Sequence, residues 1–155
     1  MIEITKKSSK IVIQDSSKKE IIFDAMSWEV QLDGYDVNHP GEYEKSSILL
    51  EVKEYSEVLF YNFLIDGKHL VIVTSDRFEL KEEILSFFGD VDILVIIWSK
   101  EAAKVFENIE AKLVVPYGEW KELFLTTLGQ YTQEVESYKV KAEFALDATE
   151  FVNLK

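Results

Sequence analysis

The spacing of hydrophobic residues predicts short β-strands in the first third of the chain. Residues 2–5, 10–14 and 20–24 are rich in isoleucine, valine and phenylalanine, and the polar run that begins at Asp15 separates two of these segments as a turn. We therefore expect a small antiparallel unit. Residues 25–44 show no hydrophobic period, and glycine, asparagine and proline interrupt them, so this segment is predicted to be a loop.

The strand pattern returns in the middle of the chain. Residues 46–52 and 58–65 predict two strands, and Asp66-Gly67 predicts a tight turn into a third strand at 69–73. A type I′ turn is expected at this position, because both of its central residues need positive φ.

Three later segments have the helical spacing of apolar residues. The first predicted helix has Ser75 or Asp76 as its N-cap and Gly89 at its C-terminus. The second follows Ser99, and the third covers residues 119–128. The expected buried stripes consist of Leu80, Ile84, Phe87 and Phe88 in the first helix, Ala102, Val105, Phe106 and Ile109 in the second, and Trp120, Leu123, Phe124 and Leu128 in the third.

The segments between these helices predict buried parallel strands. Residues 91–98 are almost continuously apolar, which is typical of a strand that is covered on both faces. Residues 113–115 predict a second such strand, closed by Pro116, and strand-like residues return at 138–154. The order strand, helix, strand implies a right-handed parallel crossover. The chain is therefore predicted to form one mixed α/β domain over residues 1–155, with more strands than helices.

Composition excludes several classes of protein. The 155 residues have a formal net charge of −12, which repels nucleic-acid phosphates and anionic lipid headgroups. There is no cysteine, so disulfides and thiolate sites are absent. No apolar run is long enough for a membrane span, and the first residues lack a signal-peptide pattern. We expect an acidic, cytoplasmic protein that binds neither nucleic acid nor membrane.

The sequence contains few candidates for catalytic chemistry. No Gly-x-Ser-x-Gly elbow and no glycine-rich phosphate loop is present. The two histidines, His39 and His69, lie thirty residues apart without the spacing that brings two rings onto one metal. Trp98 and Trp120 fit the predicted core, whereas Trp28 lies in the irregular segment and either covers the core or lies exposed at an interface. We therefore assign no catalytic, cofactor-binding or metal-binding residue.

One motif gives a resemblance to a known family. The run His39-Pro-Gly-Glu-Tyr-Glu44 resembles the Gly-Pro-Gly-Glu-Tyr-Glu signature of the metallo-β-lactamase-like hydrolase superfamily, in the branch related to ascorbate-phosphate lactonases. The order of later segments is similar too, and those segments are 58–65, Asp66-Gly67, Ser75-Asp76, Gly89-Asp-Val-Asp-Ile-Leu94 and Val114-Val-Pro116. The resemblance implies a metallo-β-lactamase-like β-sandwich flanked by helices, truncated between the first strands and Pro40.

The resemblance also implies that the zinc motif is missing. The family has its His-x-His-x-Asp-His motif in the segment that corresponds to residues 25–38, which contain no histidine. The early Gly-His-Ser turn is matched by residues 6–9, and a later histidine is matched by Gly118. Asp76 matches the bridging metal aspartate, although an aspartate before a helix is also a good N-cap. Since a catalytic zinc needs about three protein ligands, we expect no metal and no hydrolytic machinery.

Three functions remain open at this point. The first is a metal-free pseudoenzyme that acts as a binding or assembly module, with a homodimer as one form of assembly because the truncation should uncover apolar sheet surface. The second is a hydrolase of small esters, lactones or phosphoesters with an atypical metal site around Asp76, supplemented by His39 or His69. The third is an acidic decoy or inhibitor of a basic partner, whose binding weakens with salt.

Overall fold

The computed structural model describes residues 1–75, 77–97, 99–118, 121–129, 133–144 and 148–155. These residues form fifteen strands and three helices, so the prediction of a mixed fold dominated by strands is confirmed. The elements are β1 (Glu3–Lys7), β2 (Lys10–Gln14), β3 (Glu20–Asp24), β4 (Val30–Leu32), β5 (Tyr35–Val37), β6 (Gly41–Lys45), β7 (Ile48–Tyr55), β8 (Val58–Ile65), β9 (Lys68–Val73), α1 (Glu82–Phe88), β10 (Ile93–Ile97), α2 (Lys100–Asn108), β11 (Leu113–Tyr117), α3 (Lys121–Thr127), β12 (Glu134–Val135), β13 (Ser137–Lys139), β14 (Glu150–Phe151) and β15 (Asn153–Leu154).

Two large sheets form the body of the molecule. The first sheet is antiparallel and has the strand order β13-β1-β2-β3-β4-β5, and the second has the order β14-β11-β10-β9-β8-β7-β6. The second sheet is antiparallel from β6 to β9 and parallel from β9 to β14. The chain passes from one sheet to the other between β5 and β6, so these two edge strands follow one another in the sequence.

The main core lies between the two sheets. Strands such as β3 and β4 alternate buried and more exposed residues, and the buried residues of both sheets form one continuous cluster. Ile4, Ile13 and Ile21 are neighbours across the first sheet, and each has no exposed surface. Phe63 and Leu70 form the corresponding centre of the second sheet. Burial of this apolar surface is the main source of stability for the sandwich.

A second core lies between the second sheet and the helices. Phe60 of β8, Phe88 of α1 and Phe124 of α3 are buried there with the outward residues of β9, β10 and β11. Strand β10 is therefore buried on both faces, as the continuous apolar run predicted, and it pairs with β9 and β11 in parallel. The crossover from β10 through α2 to β11 is confirmed as a parallel connection.

The tight turns agree with the sequence. Asp66 and Gly67 have φ values of 47° and 75°, which confirms the type I′ turn predicted from that dipeptide. Ser46-Ser47 and the turn between β7 and β8 also have two central residues with positive φ. These two-residue connections fix the register of three consecutive hairpins in the second sheet.

Several element predictions are wrong. Residues 25–44 were predicted to be a loop, but they contain β4, β5 and most of β6. The prediction failed for β4 and β5 because a strand of three residues is too short to show a hydrophobic period and is stabilised by pairing with its neighbours. Helix α1 starts after Lys81 without a side-chain cap, and Ser75 instead accepts a hydrogen bond from the backbone of Arg77. Leu123 is 51% exposed, although the predicted stripe had it buried. Asp76, Trp98 and Trp120 lie outside the described residues, so their predicted roles are not tested.

The outer face of the first sheet is mainly polar. One cross-strand row on this face consists of Glu3, Gln14 and Glu20. The adjacent row consists of Thr5, Val12, Ile22 and Gln31. The apolar surface that we expected a truncation to uncover is therefore not found there. None of the described helices is long enough to cross a membrane, the longest having nine residues.

Candidate functional site

The resemblance matches residues 6–9, Asp76 and Gly118 to the family's metal ligands, and two of these positions lie next to the ends of β9 and β11 in the chain. The Phe23 ring of β3 meets the Tyr117 ring of β11 edge-on, with 5.0 Å between their centroids. The Tyr117 hydroxyl donates a 2.6 Å hydrogen bond to the carbonyl of Val73 at the end of β9. The ends of β3, β9 and β11 therefore meet at one edge, which we call the strand-end edge and define by the described residues 23–28, 73–75, 77 and 117–118.

At this edge the carboxylate of Asp24 organises a loop. Its Oδ1 accepts hydrogen bonds from the backbone N–H of Met26 at 2.9 Å and of Ser27 at 3.4 Å, and from the Ser9 hydroxyl at 3.0 Å. The bond from Met26 and then the bond from Ser9 lower the pKa of Asp24 below its ordinary value. This carboxylate therefore fixes the turn that leads to Trp28, whose N–H donates to the Asp24 carbonyl at 2.7 Å.

In the sequence, a cation directly follows the residue that matches the family's bridging ligand. The guanidinium of Arg77 stands over the ring of Trp28 at 5.8 Å from its centroid. Both side chains line a cleft of about 350 Å³ together with Thr74, Ser75 and Tyr61. A positive charge in this cleft disfavours a divalent cation bound there. The sequence analysis missed this pair, because nothing in the local pattern indicates that residues 28 and 77 meet.

Gly118 has a backbone that is suited to glycine. Its φ is 102°, and a Cβ built on it would lie 3.2 Å from Cγ1 of Ile97. A side chain at this position would therefore meet both backbone strain and a close contact. The residue that the resemblance matches to a histidine ligand lies where the local backbone and Ile97 resist any side chain.

The two histidines do not supplement the strand-end edge. His69 lies near the start of β9, about 13 Å from its last residue at the usual rise of an extended strand. His39 precedes β6, which is three strands away from β9 or about 14 Å. Neither ring is placed to share a metal with the end of β9. The predicted supplementary role of His39 and His69 at that edge is therefore not supported by the geometry.

The donor set as described does not fit a catalytic zinc ion. Residues 6–9 offer no imidazole, Gly118 offers no side chain, and the Oδ1 atom of Asp24 is already used in the turn. Among the residues that the structure describes, no group of three or more histidine, aspartate or glutamate side chains is arranged to hold a metal ion. Asp76 lies outside them, and a single carboxylate does not make the three-ligand set of a catalytic zinc.

The molecule closely resembles a solved structure over its whole length. A protein from Thermotoga maritima, assigned as a Zn-dependent hydrolase of the metallo-β-lactamase superfamily, superposes with a TM-score of 0.76 at 14% sequence identity. The superposition covers 99% of each chain. The chain has a metallo-β-lactamase-like fold.

Neither sequence comparison adds to this result: no family model matches the chain, and no curated protein does. The likeness at 14% identity concerns the fold alone. The Thermotoga protein has about the same length as this chain, so the comparison shows no deletion relative to it.

Proposed function

We propose that this chain is a non-catalytic, metal-free binding or assembly module built on a metallo-β-lactamase-like fold. The observation that carries the proposal is the composition of the strand-end edge. Where the resemblance expects metal ligands, the chain has glycine at 118 and a lysine-serine turn at 6–9. In addition, the guanidinium of Arg77 lies next to Asp76 in the chain, on the ring of Trp28.

The physical argument is one of coordination. A hydrolytic zinc site needs about three protein ligands and an open position for water, so that bound water loses a proton near neutral pH. One carboxylate, that of Asp76, supplies at most one of these ligands, which is too few to hold a hydrated divalent ion. The metallo-β-lactamase-like fold without a set of zinc ligands, together with the cleft lined by Trp28 and Arg77, supports a role in binding.

Metal analysis of the full chain tests this proposal. The protein is purified without chelator, incubated with an excess of zinc or manganese, passed through a desalting column and measured by plasma mass spectrometry. We expect far less than one bound metal per chain, together with no metal-dependent turnover of p-nitrophenyl esters, p-nitrophenyl phosphates or a simple lactone. The Asp76→Ala variant should have the same metal content as the parent protein.

A matched variant separates a real site from surface binding. Asp90 is an exposed carboxylate that precedes β10, at the opposite end of the parallel strands, so Asp90→Ala removes one charge away from the strand-end edge. Stoichiometric metal that is lost in Asp76→Ala and kept in Asp90→Ala would refute the proposal. If this metal also supports hydrolysis, the protein is a hydrolase with an atypical site.

A further inference from the structure

The strand β6 has an open edge in the described part of the chain. It ends the second sheet, and it pairs there with β7 on one side only. An exposed strand edge has free backbone donors and acceptors and is able to pair with another extended segment. Whether this edge is a docking site depends on which groups it presents.

The register of the hairpin identifies the free backbone groups. Ser46 and Ser47 form its two-residue turn, so Lys45 and Ile48 are the closing hydrogen-bonded pair. Hydrogen-bonded and non-hydrogen-bonded pairs alternate along an antiparallel ladder. The N–H and C=O groups of Glu42 and Glu44 therefore point away from β7, toward the open edge.

The same two residues carry unpaired negative charge. Within the described residues, neither Glu42 nor Glu44 takes part in a salt bridge. Glu42 is also directly opposite Glu51 of β7, and like charges at such a position repel each other. Glu51 has one ion-pair partner, Lys53 at 3.7 Å. A cation brought by another molecule would relieve this repulsion.

Both faces beside the edge offer apolar contacts. On the helix side, a groove of about 490 Å³ is lined by Glu42, Glu51, Leu49 and Phe87, and Leu49 is 43% exposed. On the other side, the rings of Tyr35 and Tyr43 lie 6.3 Å apart, and Tyr35 is 55% exposed. An added strand would therefore have acidic neighbours on one face and aromatic neighbours on the other.

We propose that β6 is the docking edge for an extended basic segment of a partner protein, which adds to the second sheet as a further strand. Lysine or arginine at alternate positions would lie opposite Glu42 and Glu44, and the intervening apolar residues would contact Tyr35 and Tyr43. This inference deepens the proposed function by naming the class of partner. It needs no residue of the strand-end edge.

A second copy of the chain is a poor occupant of this edge. Two antiparallel β6 strands would bring Glu42 and Glu44 of one copy against the same glutamates of the other. Each copy also has a net charge of −12, which opposes close approach. Charge complementarity therefore selects a basic partner.

Peptide binding to the full chain tests the inference. The probe is a fluorescein-labelled peptide of about nine residues, long enough to pair along all of β6, in which arginine and valine alternate. One control peptide has the same composition with all arginines in one block, and another has glutamate in place of arginine. Fluorescence anisotropy at low and high salt measures the affinity. We expect the alternating peptide to bind most tightly and the acidic peptide not to bind.

Two sets of variants separate charge from strand pairing. Glu42→Gln with Glu44→Gln should weaken binding about three- to tenfold, since two exposed ion pairs are lost. The matched control, Glu107→Gln with Glu110→Gln, removes the same charge at the end of α2 and should leave binding nearly unchanged. Glu44→Pro should bind about two- to tenfold more weakly than Glu44→Gln, because proline removes an outward N–H that β7 does not use.

Each alternative result has a definite meaning. If the Glu42→Gln/Glu44→Gln and Glu107→Gln/Glu110→Gln variants weaken binding equally, the attraction is diffuse and the docking edge is refuted. The same conclusion follows if Glu44→Pro binds as well as Glu44→Gln. If the free chain forms a dimer in sedimentation velocity that Glu44→Pro dissociates, a second copy occupies the edge and the inference is also wrong. The metal analysis above is independent of these results, so the two proposals fail separately.

Discussion

Replacing Gly118 by alanine tests whether the strand-end edge still accepts a side chain at the position of the family's histidine. The φ of 102° is unfavourable for any residue with a Cβ, and the new methyl group would lie 3.2 Å from Cγ1 of Ile97. Gly129 is the matched control, because its φ is 71° and a Cβ at that position would have no atom within 4 Å. Both substitutions carry a backbone cost, which is at least as large at a φ of 102° as at 71°, and only Gly118→Ala adds the contact.

The expected magnitudes follow from these two terms. Forcing an ordinary residue into the left-handed region costs about 1 to 2 kcal/mol, so Gly129→Ala should lower the free energy of unfolding by about that amount. Overpacking a tight contact adds about 1 kcal/mol, so Gly118→Ala should lower it by about 2 to 3 kcal/mol. Ile97→Ala has its own cost from lost burial, but in that background Gly118→Ala should cost only the backbone term.

Urea unfolding followed by circular dichroism measures these differences, provided that the slope with denaturant stays constant. The four proteins needed for the cycle are the parent, Gly118→Ala, Ile97→Ala and the double variant. The reasoning is refuted if Gly118→Ala costs no more than Gly129→Ala, or if the two changes at 97 and 118 are strictly additive. Either result would mean that the structure accepts a side chain at position 118. The ligand would then be missing only because the sequence has glycine there.

Three further substitutions test other contacts of the fold. Asp24→Asn should lower the free energy of unfolding most at neutral pH. The difference between variant and parent should shrink as the pH falls through the lowered pKa of Asp24, because the parent then loses its carboxylate charge too. Urea unfolding at several pH values measures this difference. Tyr117→Phe should cost about 1 kcal/mol of unfolding free energy through the lost hydrogen bond to Val73. Asn62→Leu should cost about 1 to 3 kcal/mol in the same assay, because the Asn62 amide donates to two carbonyls at the end of α1; an unchanged midpoint would show that these carbonyls do not need it.

The sequence was sufficient where one local pattern determined the structure. The dipeptide Asp66-Gly67 predicted its turn, because only a few residue types accept two successive positive φ values. The apolar run from Ile93 predicted a strand buried on both faces, because it is short, rich in β-branched residues and without polar alternation. The strand patterns also predicted the predominance of strands, whereas the β-sandwich was implied by the resemblance to the metallo-β-lactamase-like superfamily.

Other features depended on contacts between distant segments. Strands β4 and β5 have only three residues each, and their pairing with β3 and with each other, not their periodicity, makes them strands. Arg77 reaches Trp28 across forty-nine positions of the chain, and Glu42 faces Glu51 through the register of a hairpin. Ile97 and Gly118 meet because β10 and β11 are parallel neighbours.

By itself, the sequence determined which side chains are available: no cysteine, two separated histidines and glycine at 118. Only the tertiary structure decided where the remaining polar groups lie, with a guanidinium at the strand-end edge and two glutamates on an open strand. The physical reason is that residue chemistry is encoded locally, whereas charge proximity and edge exposure arise when sheet pairing brings distant segments together.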